Sequence, residues 1–96
     1  VIEGLKTLVV YDISDDGLRL RVSEVCKDFG LARIQKSAFL GDLPSARRRE
    51  LIAKLRRMVR EEGDNVQVFS ICNADLALRV VIGKPFRGEE EGAFIV

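Results

Sequence analysis

The sequence predicts an α/β sandwich, with two amphipathic helices packed on one face of an antiparallel sheet, and two patterns carry that reading. Apolar runs of strand type lie at 8–13, 32–43, 65–72 and 77–83, bounded by turn residues. Between them, Leu18 to Phe29 and Leu51 to Val59 repeat apolar residues at helical spacing. At 96 residues the chain is one domain. We expect the folded unit to run from 1 to 84, followed by a tail, 85–96, that holds a short strand.

The elements follow in order. In "LVVYDI" the apolar positions fall on both sides, Leu8 and Val10 on one, Val9, Tyr11 and Ile13 on the other, as in a strand buried on both faces. Ser14, Asp15 and Asp16 then offer an N-cap and acids for a first helical turn. Leu18, Val22, Val25, Cys26 and Phe29 form one stripe, and Gly30 supplies the stop. "ARIQKSAFLGDL" reads as one extended stretch with no visible turn. Pro44 and Ser45 start a second helix with Leu51, Ile52, Leu55, Met58 and Val59 on its apolar side, and Gly63 is its expected stop. "NVQVFSIC" and "ALRVVIG" are two further strands about the turn residues Asn73, Ala74 and Asp75. "AFIV" closes the tail. Right-handed crossovers then favour a ferredoxin-like arrangement. Its second sheet face, expected to carry Tyr11 or Asp12 and Phe39, is too apolar to leave wet, so a face-to-face homodimer is expected.

Composition narrows the chemistry. Histidine is absent, which removes the imidazole base, the Ser/His and Cys/His nucleophile pairs and the usual zinc sites. The two cysteines, Cys26 and Cys72, form no disulfide framework, and no apolar run nears the ~18 residues of a membrane span. No signal peptide is read, and a reducing cytoplasm is the expected setting. Net charge is +1, yet residues 44–60 carry seven basic side chains and one acidic one.

Three groups of residues then stand out. Asp12 interrupts an apolar strand at its carboxyl end. Such an acid is a helix cap or the partner of a nearby arginine, or it is a magnesium ligand. One carboxylate makes a poor site for a hard divalent ion, but two copies meeting at a dimer axis make a better one. On the second helix Arg49, Arg56 and Arg60 fall within ~40° of one another, and the first two are ~10 Å apart along the axis. That row matches a nucleic-acid backbone or forms a solvated face. Arg19, Arg21 and Arg33 sit beside apolar positions and need an acid, a carbonyl or a phosphate.

Taken together, "LVVYDISDD", "LRLRV", "GLARIQKSAFLGDL" and "VVIG" resemble the CRISPR-associated protein two family, the small ferredoxin-like subunit of the spacer-acquisition machinery, often called its endoribonuclease. The resemblance runs from about Leu8 to Gly83. It implies a homodimer in which Asp12 faces its copy and serves magnesium-dependent cleavage, with Tyr11, Arg19, Arg21, Arg33, Ser37 and Phe39 at matching positions. It further implies that "AFIV" is exchanged with the partner protomer and that the dimer bridges CRISPR integrase dimers. A non-catalytic duplex-DNA scaffold is the alternative within the family. A toxin-like ribonuclease of the same small fold is a third reading, against which the "RIQKSAF" strand speaks.

Overall fold

The computed structural model describes residues 5–59, 63–84 and 86. Strand β1 (Leu5–Asp12) is followed by helix α1 (Asp16–Asp28), strands β2 (Ala32–Gln35) and β3 (Ala38–Asp42), helix α2 (Ser45–Met58), strand β4 (Asn65–Cys72) and the short helix α3 (Asn73–Ala77). The sheet order is β2-β3-β1-β4 and every pairing is antiparallel. Each long helix therefore connects two strands that have a third between them, the split crossover of a ferredoxin-like fold.

Local chemistry explains the ends of α1. The Asp15 carboxylate accepts a 2.7 Å hydrogen bond from the Leu18 amide, and Asp16 lies in the first turn. At the other end Gly30 takes φ 89°, while its amide and that of Leu31 donate to the carbonyls of Lys27 and Cys26. This is a Schellman stop, which Gly30 adopts without a Cβ penalty. Helix α2 starts at Pro44 with no side-chain cap, and it ends where Val59 turns extended. The expected stop at Gly63 comes four residues too late, since Gly63 instead lies in the turn leading into β4.

Period-two alternation decides the faces of β1. Thr7, Val9 and Tyr11 are buried beneath the helices, whereas Val10 and Asp12 point the other way and are exposed. Val9 pairs with Phe39, so Phe39 shares the helix side and is fully buried. Leu18, Val22, Cys26, Leu51 and Leu55 close over them in one cluster. Each fully buried side chain of this kind contributes roughly 1.5–3 kcal/mol. The expectation that Phe39 lies on the outer face is thus corrected, and of Tyr11 and Asp12 it is Asp12 that faces outward.

Two further differences concern turns. The stretch 32–43 is a hairpin, with Lys36 and Ser37 as its turn and an irregularity between Arg33 and Gln35. The expected strand at 77–83 is absent. Asn73, Ala74 and Asp75, read as a turn, begin α3, whose first amide bond is taken by the Cys72 sulfur from Asp75 at 3.4 Å. After Ala77 the chain runs without regular structure to Lys84, leaving Leu78, Val80 and Ile82 exposed. Helix α3 packs on β1 and β4, and Val80 to Ile82 share a cavity with Ile34 and Gln35 of β2. Most of the tail, including "AFIV", lies outside the described residues.

Gly41 tests how closely β3 meets the turn after α1. A Cβ at Gly41 would stand 2.9 Å from Leu31 Cδ2, 3.2 Å from Leu31 Cα and 3.3 Å from the Gly30 carbonyl oxygen. Two of these are backbone atoms that cannot rotate away. Gly41→Ala is expected to destabilise the domain by about 1–3 kcal/mol, read as a lower urea midpoint at unchanged slope.

Candidate functional site

The end of β1 is held from three sides. The Tyr11 amide donates to the Ser37 carbonyl at 3.0 Å, which draws the tip of the β2–β3 hairpin against the strand end. The Ser14 amide donates to an Asp64 carboxylate oxygen at 3.3 Å, which fixes the following loop to the start of β4. Asp12 itself lies opposite Asn65 in the β1–β4 ladder. Its carboxylate is therefore carried by a strand paired on both sides and projects to the outer face.

Arg19 of α1 turns back toward that loop. One of its terminal nitrogens donates to the Ile13 carbonyl at 2.8 Å, and the other pairs with Asp16. Arg33 of β2 donates to the Lys36 carbonyl at 2.8 Å, and its guanidinium lies over the buried Phe39 ring, 4.9 Å from the centroid. Both guanidiniums are thus oriented by backbone carbonyls and keep further N–H donors for a ligand. Neither pairs with Asp12. Arg21 is exposed on α1, outside this cluster.

Around the strand end opens a cavity of about 550 Å³ whose walls include Tyr11, Asp12, Arg19, Arg33, Lys36 and Ser37. Of the positions matched by the family resemblance, Tyr11, Asp12, Arg19, Arg33 and Ser37 are brought together there; Arg21 stands apart, Phe39 lies beneath Arg33 without lining the cavity, and the basic row of α2 lies elsewhere. Leu20 and Ser23 also line the cavity. Sequence reading missed them, though Leu20 left a signal: it is an apolar residue off the Leu18–Val22 stripe, set between two arginines.

Tyr11 stacks against Phe39 with ring centroids 6.3 Å apart, and its hydroxyl is buried with no hydrogen-bond partner among the described residues. Burial raises this phenol above the ordinary tyrosine range, with the Arg33 charge acting in the opposite sense. At neutral pH Tyr11 is therefore a neutral donor and not a base. Cys26 lies in the core, where burial pushes its thiol up to about 12, so it is no nucleophile. Among the described residues no group of three or more His, Cys, Asp or Glu side chains gathers as a metal site. No described helix is long and apolar enough to cross a membrane.

On α2 the exposed Arg49 and Arg56 carry the expected basic row, whereas Arg60 lies outside the described residues. Arg47 is committed elsewhere, to Glu50 and to the Phe29 ring at 4.1 Å.

Fold and site together define a small ferredoxin-like domain that presents one strand-end carboxylate on its outer face and a cluster of oriented arginines at the same strand end. A profile of the CRISPR associated protein Cas2 family matches residues 6–77. The chain belongs to that family. It is 51% identical over 81 residues to the CRISPR-associated endoribonuclease Cas2 of Korarchaeum cryptofilum, covering 84% of this chain and 87% of that one. A CRISPR-associated endonuclease Cas1/endonuclease Cas2 fusion of Thermoproteus tenax is 39% identical over 75 residues, 76% of this chain and 28% of the fusion. A crystal structure of a Cas2 protein superposes with TM-score 0.71 at 31% identity, covering 86% of this chain and 91% of that chain.

Proposed function

We propose that this chain is a magnesium-dependent endonuclease of the CRISPR spacer-acquisition machinery, active as a homodimer that joins the CRISPR integrase. The observation that carries the reading is the position of Asp12. It is exposed on the outer face of β1, two residues beyond Val10, and Phe69 of β4, opposite Leu8, lies on that same face; Val10 and Phe69 are 37% and 44% exposed. A second copy seated on this face would cover both apolar side chains and bring a second Asp12 to the first. The free edge of β4 and the exposed Leu78, Val80 and Ile82 offer further surface to the same partner.

One carboxylate per chain makes a poor magnesium site, but two copies of Asp12 brought together in a dimer would hold the ion better. Magnesium bound there supplies an activated water and neutralises phosphate charge. The chain's own contribution is to present Asp12 rigidly and to hold Arg19 and Arg33 for phosphate oxygens, while Tyr11 stays neutral beneath them. The relative fused to Cas1 supports a partnership with the integrase.

The test is cleavage of end-labelled RNA and duplex DNA by the purified dimer, with magnesium and with EDTA, beside Asp12→Ala. Cleavage that needs both magnesium and Asp12 supports the reading; cleavage that survives in the variant overturns it.

The basic imbalance of α2 favours a second reading, a scaffold that grips duplex DNA without cutting it. Arg49 and Arg56 are exposed, and from Arg47 to Arg57 the helix carries six cations against Glu50 alone. Each phosphate contact adds roughly 0.9 to the slope of log affinity against log salt. Arg49→Ala with Arg56→Ala is therefore expected to lower that slope by about two for duplex DNA. An unchanged slope removes the row from DNA binding.

A further inference from the structure

On the helices of this fold, the side chain of Leu20 is apolar, exposed and set among cations. Leu20 is 58% exposed, yet it lies between Arg19 and Arg21 and lines the cavity shared by Arg19, Arg33 and Lys36. An apolar group so placed contributes nothing to the core, which α1 serves through Leu18, Val22, Val25 and Cys26. It also contributes little to solubility.

We propose that Leu20 is the apolar contact for a nucleobase, and that the cavity receives one unpaired nucleotide whose phosphate is held by Arg19, Arg33 and Lys36. This rests on the nuclease reading and deepens it. The volume, about 550 Å³, lies in the range of sites that enclose small ligands. Arg19, Arg33 and Lys36 bring cations to the walls from α1, β2 and the hairpin turn, against the carboxylates Asp12 and Asp16, of which Asp16 is already paired with Arg19, and the exposed aliphatic side chain of Leu20 stands beside them. A base in a duplex buries both its faces in the stack, so the face that meets Leu20 must belong to a base that has left it. Among the described residues no exposed aromatic ring lines the cavity, since Tyr11 and Phe39 are buried and Phe86 is outside the lining, and an aliphatic contact of this kind accepts any base. Leu20 thereby adds affinity for unpaired nucleotides without sequence preference. It touches base and not phosphate, so its contribution is to binding and not to the bond that is cut.

The experiment measures binding of a fluorescent single-stranded RNA octamer, in EDTA to prevent cleavage, against the same octamer with abasic central positions. Wild type is expected to prefer the intact octamer. Leu20→Ala is expected to bind it about five- to tenfold more weakly, and to bind the abasic octamer as wild type does. Leu20→Phe, which offers a flat face, is expected to restore or exceed the wild-type preference. Since the side chain is exposed, both variants should keep the wild-type melting temperature. An equal preference for intact over abasic RNA in wild type and Leu20→Ala overturns the role of Leu20 and leaves the nuclease reading standing. Failure of wild type to bind either octamer, or to cleave RNA when magnesium is restored, overturns that reading and this inference with it.

Discussion

The Asp12→Asn protein is expected to fold and dimerise as wild type does and to cleave at least about a hundredfold more slowly in magnesium. The exchange keeps the shape of the side chain and removes its charge. Because Asp12 is exposed at the end of β1 and forms no part of the core, the substitution leaves packing alone. What it removes is the anionic donor that a hard cation requires, since amide oxygens bind magnesium weakly without a carboxylate beside them. A shared site has a sharper signature still. When wild-type and Asp12→Asn chains are mixed, unfolded and refolded together, intact pairs form with the square of the wild-type fraction. Activity that follows the square places the two carboxylates in one site. Activity linear in that fraction means each chain works alone, and the dimer-axis arrangement is then wrong.

How far the chain could be read in advance depended on which force shaped each part. β1, α1, α2 and β4 follow hydrophobic periodicity, which burial beneath a helix or against a sheet imposes directly, and all four are present as elements of the expected type, although β1 begins at Leu5 instead of Leu8 and α2 ends at Met58, short of Gly63. The β2–β3 turn is different. Lys36 and Ser37 are ordinary residues, and the hairpin is held by its ladder and by the Tyr11 amide on Ser37, contacts that no local pattern announces. The segment from Asn73 misled for a related reason. Asp75 was legible as a turn former, but the Cys72 sulfur that accepts its amide, and so starts a helix, carries no such signature. Val80 to Ile82 have strand composition and lie beside Ile34 and Gln35 of the edge strand β2, yet they pair with none of the four strands.

The candidate site was legible in its residue types and less so in its geometry. Alternation along β1 fixes that Tyr11 and Asp12 face opposite ways, but it leaves open which side the helices cover. The β1–β3 register decides that by pairing Val9 with Phe39 under α1 and α2. The consequence is a division of labour across the sheet. Asp12 serves the outer face, while Tyr11 and Phe39 form the floor on which Arg33 rests.

That floor leads to a second large effect. Phe39→Ala is expected to cost about 3–5 kcal/mol, because it empties a fully buried ring site between β1, β3 and the helices. A domain of this size has roughly 5–14 kcal/mol of total stability, so the variant should melt far below wild type or fail to fold. Its loss of activity would therefore say nothing specific about the site. Phe39→Leu separates the two roles. It retains most of the buried volume, for a cost of about 1–1.5 kcal/mol, and it deletes the ring face beneath the Arg33 guanidinium. If that ring orients Arg33, Phe39→Leu should weaken RNA binding in the same direction as Arg33→Ala. The double variant should then be little worse than Arg33→Ala alone, because both changes remove one held cation. Fully additive losses in affinity would mean that Phe39 acts only through the core, and that Arg33 is held by the Lys36 carbonyl without help from the ring.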